Sequence, residues 1–143
     1  MTIAMRIAFS GQCVDAMAFY CDVFGIEAQN ISTFGDKQDI LGDVPETKRN
    51  LIFSAELNLP GSPGMRLLLN DTPVLLFQDN PGLVTQQPDI EIDDTNPEII
   101  RNLYDKLMRG GKANKVLAEA SPYLLYGSMI DAYGICWHLR CIK

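Results

Sequence analysis

The sequence predicts an α+β fold: two β-α-β-β-β modules, their sheets joined into one curved mixed sheet with the helices on its outer face. Three observations predict it. The order strand, helix, three strands reads twice, over about 1–72 and again over about 86–143. The halves carry a short internal repeat at an offset of 84, where Tyr20 meets Tyr104, Val23 meets Leu107 and Phe24 meets Met108, each an apolar or aromatic helix position. The last strand alternates: Ile135, Trp137, Leu139 and Cys141 point one way, and Cys136, His138 and Arg140 the other. A strand with one apolar face normally turns the other to water. Here that other face carries a thiol, the single histidine of the chain and a guanidinium.

In chain order, 4–9 reads as a strand. Residues 13–24 read as a helix, because Val14, Met17, Ala18, Cys21 and Phe24 fall near helical spacing and Gly25 is placed to end it. Residues 27–34 form a second strand, 35–49 a charged irregular stretch, and 50–59 a third strand. A turn at Pro60-Gly61-Ser62-Pro63-Gly64 leads to the strand 65–70. The connector 71–88 holds a brief strand at 74–77 and a turn at Asp79-Asn80-Pro81-Gly82. The second module opens with a strand at 89–92 and a helix cap at Asp93-Asp94-Thr95. Its helix, 96–108, turns Ile99, Ile100, Leu103, Leu107 and Met108 inward and ends at Gly110-Gly111. Strands 112–119, 123–130 and 135–141 follow, the last two joined by Asp131-Ala132-Tyr133-Gly134, with Asp first and Gly fourth in the turn.

At 143 residues the chain fits one domain, 1–143, able to bury roughly two-thirds of its unfolded surface without a disulfide or a metal. A net charge of −6 with no basic run argues against nucleic acid and anionic membrane as partners. No window reaches the ~18 apolar residues of a membrane span, and no secretory signal is visible, so a cytoplasmic location is expected. Cys13, Cys21, Cys136 and Cys141 make no C-x-x-C pair and are expected to be free thiols.

Two stretches resemble a known family. Gly11–Glu27, G-Q-C-V-D-A-M-A-F-Y-C-D-V-F-G-I-E, resembles the opening of the PhnB-like branch of the glyoxalase/bleomycin-resistance/dioxygenase group, the vicinal oxygen chelate superfamily. L-M-R-G-G-K at 107–112, followed by Y-G-S-M-I-D-A-Y-G-I-C-W at 126–137, resembles its closing segment. The resemblance implies a glyoxalase-like fold and a homodimer. Some proteins of this branch carry names implying ubiquinone methylation, yet this sequence has no glycine-rich loop after a strand to hold a nucleoside cofactor. Metal-using members take ligands from four strands. Spacing from the matched motifs puts three of those positions at Met5, at Gln87 or Pro88, and at His138; the fourth, on 65–70, offers no ligand. One good candidate where a divalent ion needs three or more predicts no metal and no cofactor.

His138 is therefore the lead site residue, first as a ligand contact and second as a proton shuttle near neutral pH. Arg140 can bind a ligand carboxylate or phosphate, or pair with Glu56, and the pair is the favoured reading. Cys136 would be a nucleophile only if a base lowered its pKa; His138 is two residues away, no acidic orienter is evident, and packing is favoured. Met5, Ile7 and Phe9 alternate on the first strand as a cavity wall or as core. Trp137 is expected under the helices, and Tyr126 and Tyr133 beside the cavity or a subunit interface. The function expected is metal-independent binding of a small organic molecule in a mostly apolar concave pocket. The alternatives are a metal-dependent lyase, isomerase or dioxygenase, and a structural or partner-binding dimer.

Overall fold

The computed structural model describes residues 1–61, 64–79, 81 and 88–143. The chain divides into two compact units, 1–85 and 86–143. The first holds β1 (Met5–Phe9), α1 (Cys13–Phe24), β2 (Gln29–Thr33), the one-turn helix α2 (Gln38–Leu41), β3 (Ile52–Leu59) and β4 (Met65–Asp71). The second holds β5 (Asp89–Asp94), α3 (Pro97–Leu107), β6 (Lys112–Ala120), β7 (Tyr123–Ile130) and β8 (Cys136–Cys141). Each unit folds its strands into an open four-stranded mixed sheet, ordered β1-β4-β3-β2 in the first and β5-β8-β7-β6 in the second. In both, the first strand runs parallel to the last and the remaining pairs are antiparallel. The duplicated β-α-β-β-β order is thus present as two equivalent topologies.

Each sheet buries one face against its own helix. In the first unit Ile7, Phe9, Ala55, Leu57, Leu67 and Leu69 share the buried parity, and α1 sets Cys13, Ala16, Tyr20 and Val23 into the core. In the second, Ile90, Leu125, Met129, Trp137, Leu139 and Cys141 are buried, with Ile100, Tyr104 and Leu107 of α3. Tyr20 and Tyr104, paired by the repeat, occupy the same place in the two units: the buried side of the module helix.

The glycines of the closing motif have steric reasons. Gly110 sits at φ 75°, a left-handed conformation costly for other residues. A Cβ on Gly111 would fall 2.4 Å from the Ile130 carbonyl oxygen. A Cβ on Gly127 would fall 2.9 Å from the Tyr104 ring, whose hydroxyl donates to the Lys115 carbonyl at 3.1 Å. The motif therefore lets α3 lie close on β6 and β7.

Two local expectations change. The stretch read as a brief strand at 74–77 is a 3₁₀ turn, Pro73–Leu76, begun by Thr72, whose hydroxyl accepts from the Val74 N–H. The cap of α3 is Asn96, accepting from the Glu98 N–H at 2.9 Å, while Asp94 accepts from the Asn96 N–H one step earlier. The irregular stretch 35–49 contains short helical turns, and Gly25 ends α1 in the left-handed conformation, as read from the sequence. The turns assigned to Ser62-Pro63 and to Asn80 and Gly82 lie outside the described residues.

One buried carboxylate ties the first unit together. Asp71, 1% exposed, accepts from the N–H groups of Gly11 at 3.0 Å, Cys13 at 3.1 Å and Ile52 at 2.9 Å. Burial pushes its pKa up, against the pull of these three donors. Replacing Asp71 with Ala strands three donors and should cost about 3 kcal/mol by chemical denaturation at neutral pH. The sign for pH follows from the raised folded pKa: wild-type Asp71 contributes most below the ordinary carboxylate value near 3.8, and that contribution is lost as pH rises through the folded value. The Asp71→Ala cost should therefore grow, not shrink, on acidification through that range.

Candidate functional site

The second sheet's face without a helix of its own is built by register. β8 pairs in parallel with β5, setting Asp89 opposite Cys136, Glu91 opposite His138 and Asp93 opposite Arg140. On the other side β7 sets Ile130, Ser128 and Tyr126 against Cys136, His138 and Arg140. Because side chains alternate, the open face collects Asp89, Glu91, Asp93, Cys136, His138, Arg140, Tyr126 and Ser128. Asp131 fixes the hairpin behind it. Its carboxylate accepts from Tyr133 N–H at 2.8 Å, Ile135 N–H at 3.0 Å and the Trp137 indole at 2.8 Å. Trp137, 1% exposed, thus packs in the core as expected, and the Asp-to-Trp spacing of the closing motif is a hydrogen-bonded clamp.

His138 is the centre of the face. Its Nδ1 lies 3.0 Å from the Tyr126 hydroxyl. Its Nε2 lies 3.3 Å from Asp89 Oδ2 and 3.6 Å from Cys136 Sγ. The Asn114 amide donates toward the same sulfur at 3.7 Å. The donor atoms of Asp89, Cys136 and His138 all lie within 4.8 Å of one another, a set of carboxylate, thiol and imidazole that could hold a metal ion. Asp89 was missed from the sequence as a partner for this pair. The signal was available in D-I-E-I-D, whose polar parity must share a face with Cys136, His138 and Arg140 once the two strands run in parallel.

A nucleophilic dyad is not what this geometry makes. An acid that orients a catalytic imidazole bonds the ring nitrogen away from the nucleophile. Here Asp89 and Cys136 meet the same nitrogen and a phenol takes the other. Burial pushes the Cys136 thiol pKa up, and the Asp89 carboxylate pushes it further the same way.

Arg140 is occupied. Its Nε donates to Asp93 at 2.6 Å, it pairs with Glu91, its Nη1 donates to the Tyr123 hydroxyl at 2.9 Å, and the guanidinium lies 4.8 Å over the Tyr123 ring. The expected Glu56–Arg140 pair is replaced by partners within each sheet. Glu56 lies on the open face of the first sheet, where it pairs with Arg66 and accepts from the Asn30 amide at 3.2 Å. Ile7 and Phe9, each 2% exposed, and the half-buried Met5 lie on the core parity of β1, not on the open face, which Arg6 and Ala8 share. Of the two readings, cavity wall or core, burial gives core for Ile7 and Phe9. The open face of the second sheet is polar around His138, with the exposed Ile130 beside Cys136 on β7. Of the positions reached by family spacing, Gln87 lies outside the described residues and Pro88 immediately precedes β5.

No protein-family model matches the chain, and no curated protein matches it. Solved structures do. Protein PA1353 from Pseudomonas aeruginosa aligns over 99% of this chain and 98% of its own at 22% identity, with a TM-score of 0.79. A PhnB protein from Bacillus cereus aligns over 98% of both chains at 20% identity, with a TM-score of 0.70. A glyoxalase/bleomycin resistance protein/dioxygenase family enzyme from Burkholderia phytofirmans PsJN aligns over 96% of this chain and 94% of its own at 15% identity, TM-score 0.56. The fold is glyoxalase-like and α+β. Among the described residues, no helix is long and apolar enough to cross a membrane.

The electrostatics of Cys136 give a direct test. In chelator-treated protein, Cys136 should alkylate slowly with iodoacetamide at pH 7.5. Asp89→Asn, by removing the carboxylate that raises the thiol pKa, should speed it. Peptide mass mapping of the modified cysteine reads both rates, and an unchanged rate in Asp89→Asn contradicts the assignment.

Proposed function

We propose that this chain is a PhnB-like member of the glyoxalase/bleomycin-resistance/dioxygenase group, and that it binds a small organic molecule on the open face of the second sheet. The observation that carries the reading is the setting of His138. The single imidazole of the chain stands on a helix-free sheet face, oriented through Nδ1 by Tyr126, with a carboxylate and a thiol beside Nε2. A hydrogen-bonded imidazole flanked by a phenol can donate to or accept from a ligand hydroxyl or carbonyl.

The charge of the face selects the ligand. Asp89, Glu91 and Asp93 supply three carboxylates along β5, and Arg140 is committed to Asp93, Glu91 and Tyr123. Among the described residues of this sheet's open face, Arg140 is the guanidinium, and these partners occupy it in place of a ligand carboxylate or phosphate. The molecule bound is neutral or cationic, because an anion would meet a repulsive potential. In this reading residues 1–143 work as one glyoxalase-like domain, in a cytoplasmic homodimer, and the Arg140–Tyr123 contact orders the edge of the binding face.

A thermal-shift screen of neutral and cationic small organic molecules tests it. A ligand at 100 times its dissociation constant should add about 2.7 kcal/mol of stability. His138→Ala should remove that shift while leaving the unliganded melting temperature within a few degrees, since His138 is a surface-facing partner and not core. A ligand shift that survives His138→Ala unchanged refutes this site.

A further inference from the structure

We propose that Asp89, Cys136 and His138 form a binding site for a divalent cation of zinc type, a site confined to β5 and β8 of the second unit. The inference rests on the reading of this face as the binding surface and specifies it further. It also replaces the expectation of no metal. That expectation counted ligands at positions carried over by spacing, and Asp89 and Cys136 are not among those positions.

Three facts carry the argument. The first is the donor set. Imidazole nitrogen, thiolate sulfur and carboxylate oxygen are the ligand types zinc takes, and three protein ligands leave one position for water or a ligand oxygen. The second is the spacing. Zinc–ligand bonds of about 2.0 to 2.3 Å in a tetrahedron set donor–donor separations of about 3.3 to 3.6 Å. The His138–Asp89 and His138–Cys136 separations are 3.3 Å and 3.6 Å. Two of the three separations are thus already those an ion requires, and the Asp89 carboxylate and the Cys136 sulfur lie within 4.8 Å of one another. The third is the direction of the ring. Both donors converge on Nε2 and the Tyr126 oxygen lies on Nδ1. With the ring proton on Nδ1, Tyr126 accepts it and the Nε2 lone pair points between Asp89 and Cys136. An outer partner that fixes the tautomer in this way accompanies most metal-bound histidines.

Charge balance agrees. Cys136 gives its proton to solvent as the sulfur binds, so thiolate and Asp89 carboxylate together neutralise a dication. Glu91 and Asp93 add attraction at longer range, although both are already paired with Arg140. Asp89 is the most exposed of the three, its side chain 68% exposed, which leaves an entry path.

Cobalt(II) is the probe, titrated into chelator-treated full-length protein. One equivalent should bind and produce a thiolate-to-cobalt charge-transfer absorption in the near ultraviolet with visible bands of tetrahedral intensity. Cys136→Ser should abolish the charge-transfer band, and Cys21→Ser, at the other half-buried thiol, should keep it. Asp89→Asn and His138→Ala should each weaken binding at least tenfold, and Tyr126→Phe should weaken it about 10- to 100-fold, the range for a partner that orients a ligand. Circular dichroism and melting curves of each variant show that it is folded; Cys136→Ala replaces Cys136→Ser if the serine variant is not. The absence of a band in the wild type, or a band unchanged by Cys136→Ser, overturns the proposal. An organic ligand that shifts the chelator-treated protein, with no cobalt band, sinks the cation site and spares the binding reading. A cobalt band with no organic ligand in the screen does the reverse.

Discussion

The register of β8 is the constraint on which the rest depends. Cys136–Cys141 has one buried and one open parity, and a slip of one residue would exchange them. Trp137, Leu139 and Cys141 would then face outward, while Arg140 and His138 would enter the core without partners. Fully burying an aromatic or aliphatic side chain is worth roughly 1.5 to 3 kcal/mol, and an unpaired buried cation costs more than that. The Asp131 clamp makes the slip harder still. One carboxylate holds two backbone N–H groups of the turn and the Trp137 indole, so the turn and the first core residue of β8 are locked to one another. Every feature of the open face, including the meeting of Asp89 with Cys136, is downstream of that lock.

The two units share topology but not the position of their polar anchor. Asp71 closes the end of β4 and draws in the turn before α1 and the start of β3. Asp131 sits in the turn between β7 and β8. Both carboxylates are nearly inaccessible and both accept from three N–H donors. The two units thus hold a turn at the end of their inner strands with the same chemical group in two places. The open faces diverge as well. On the first sheet, Glu56 pairs with Arg66, and Arg6 donates to the neutral Asn70 amide oxygen. On the second, β5 carries three carboxylates against one guanidinium, and the excess falls at Asp89, beside His138.

Much of the architecture was legible because two periodicities are visible without coordinates. The strand period separates Cys136, His138 and Arg140 from their apolar neighbours. The helix repeat pairs Tyr20 with Tyr104, and both prove to be core. The motif glycines at 110, 111 and 127 could be recognised but not explained from the sequence, since their reasons are a left-handed φ at Gly110 and close approaches to Ile130 and Tyr104 at the other two. The candidate site was legible only on β8. Its other members depend on which strand lies beside β8 and in which direction, and a parallel neighbour some 45 residues earlier is not a local property of the chain. The first strand left two readings open for the same reason. Met5, Ile7 and Phe9 alternate well, but alternation does not say which face is covered by a helix, and α1 covers theirs. Charge and strand parity match Arg140 with Glu56, whereas register sets it beside Glu91 and Asp93.

The chemical character of the open face turns on a single distinction about His138. A histidine whose two nitrogens meet an acid on one side and a thiol on the other relays a proton between them. A histidine that offers one nitrogen to both, and closes the other with a phenol, relays nothing between them. It concentrates three donors around one point in space. Two of those donors are anionic in the state that binds a cation, and the nearest guanidinium is held away by Asp93, Glu91 and the ring of Tyr123. Left without a counter-charge, that point would set a half-buried thiolate against the Asp89 carboxylate, and burial first and the carboxylate second push the thiol pKa up. A positive charge placed among the three removes the conflict and turns the same crowding into attraction. The polarity of this face, which looks like a defect in an apolar pocket, is then its principal means of recognition.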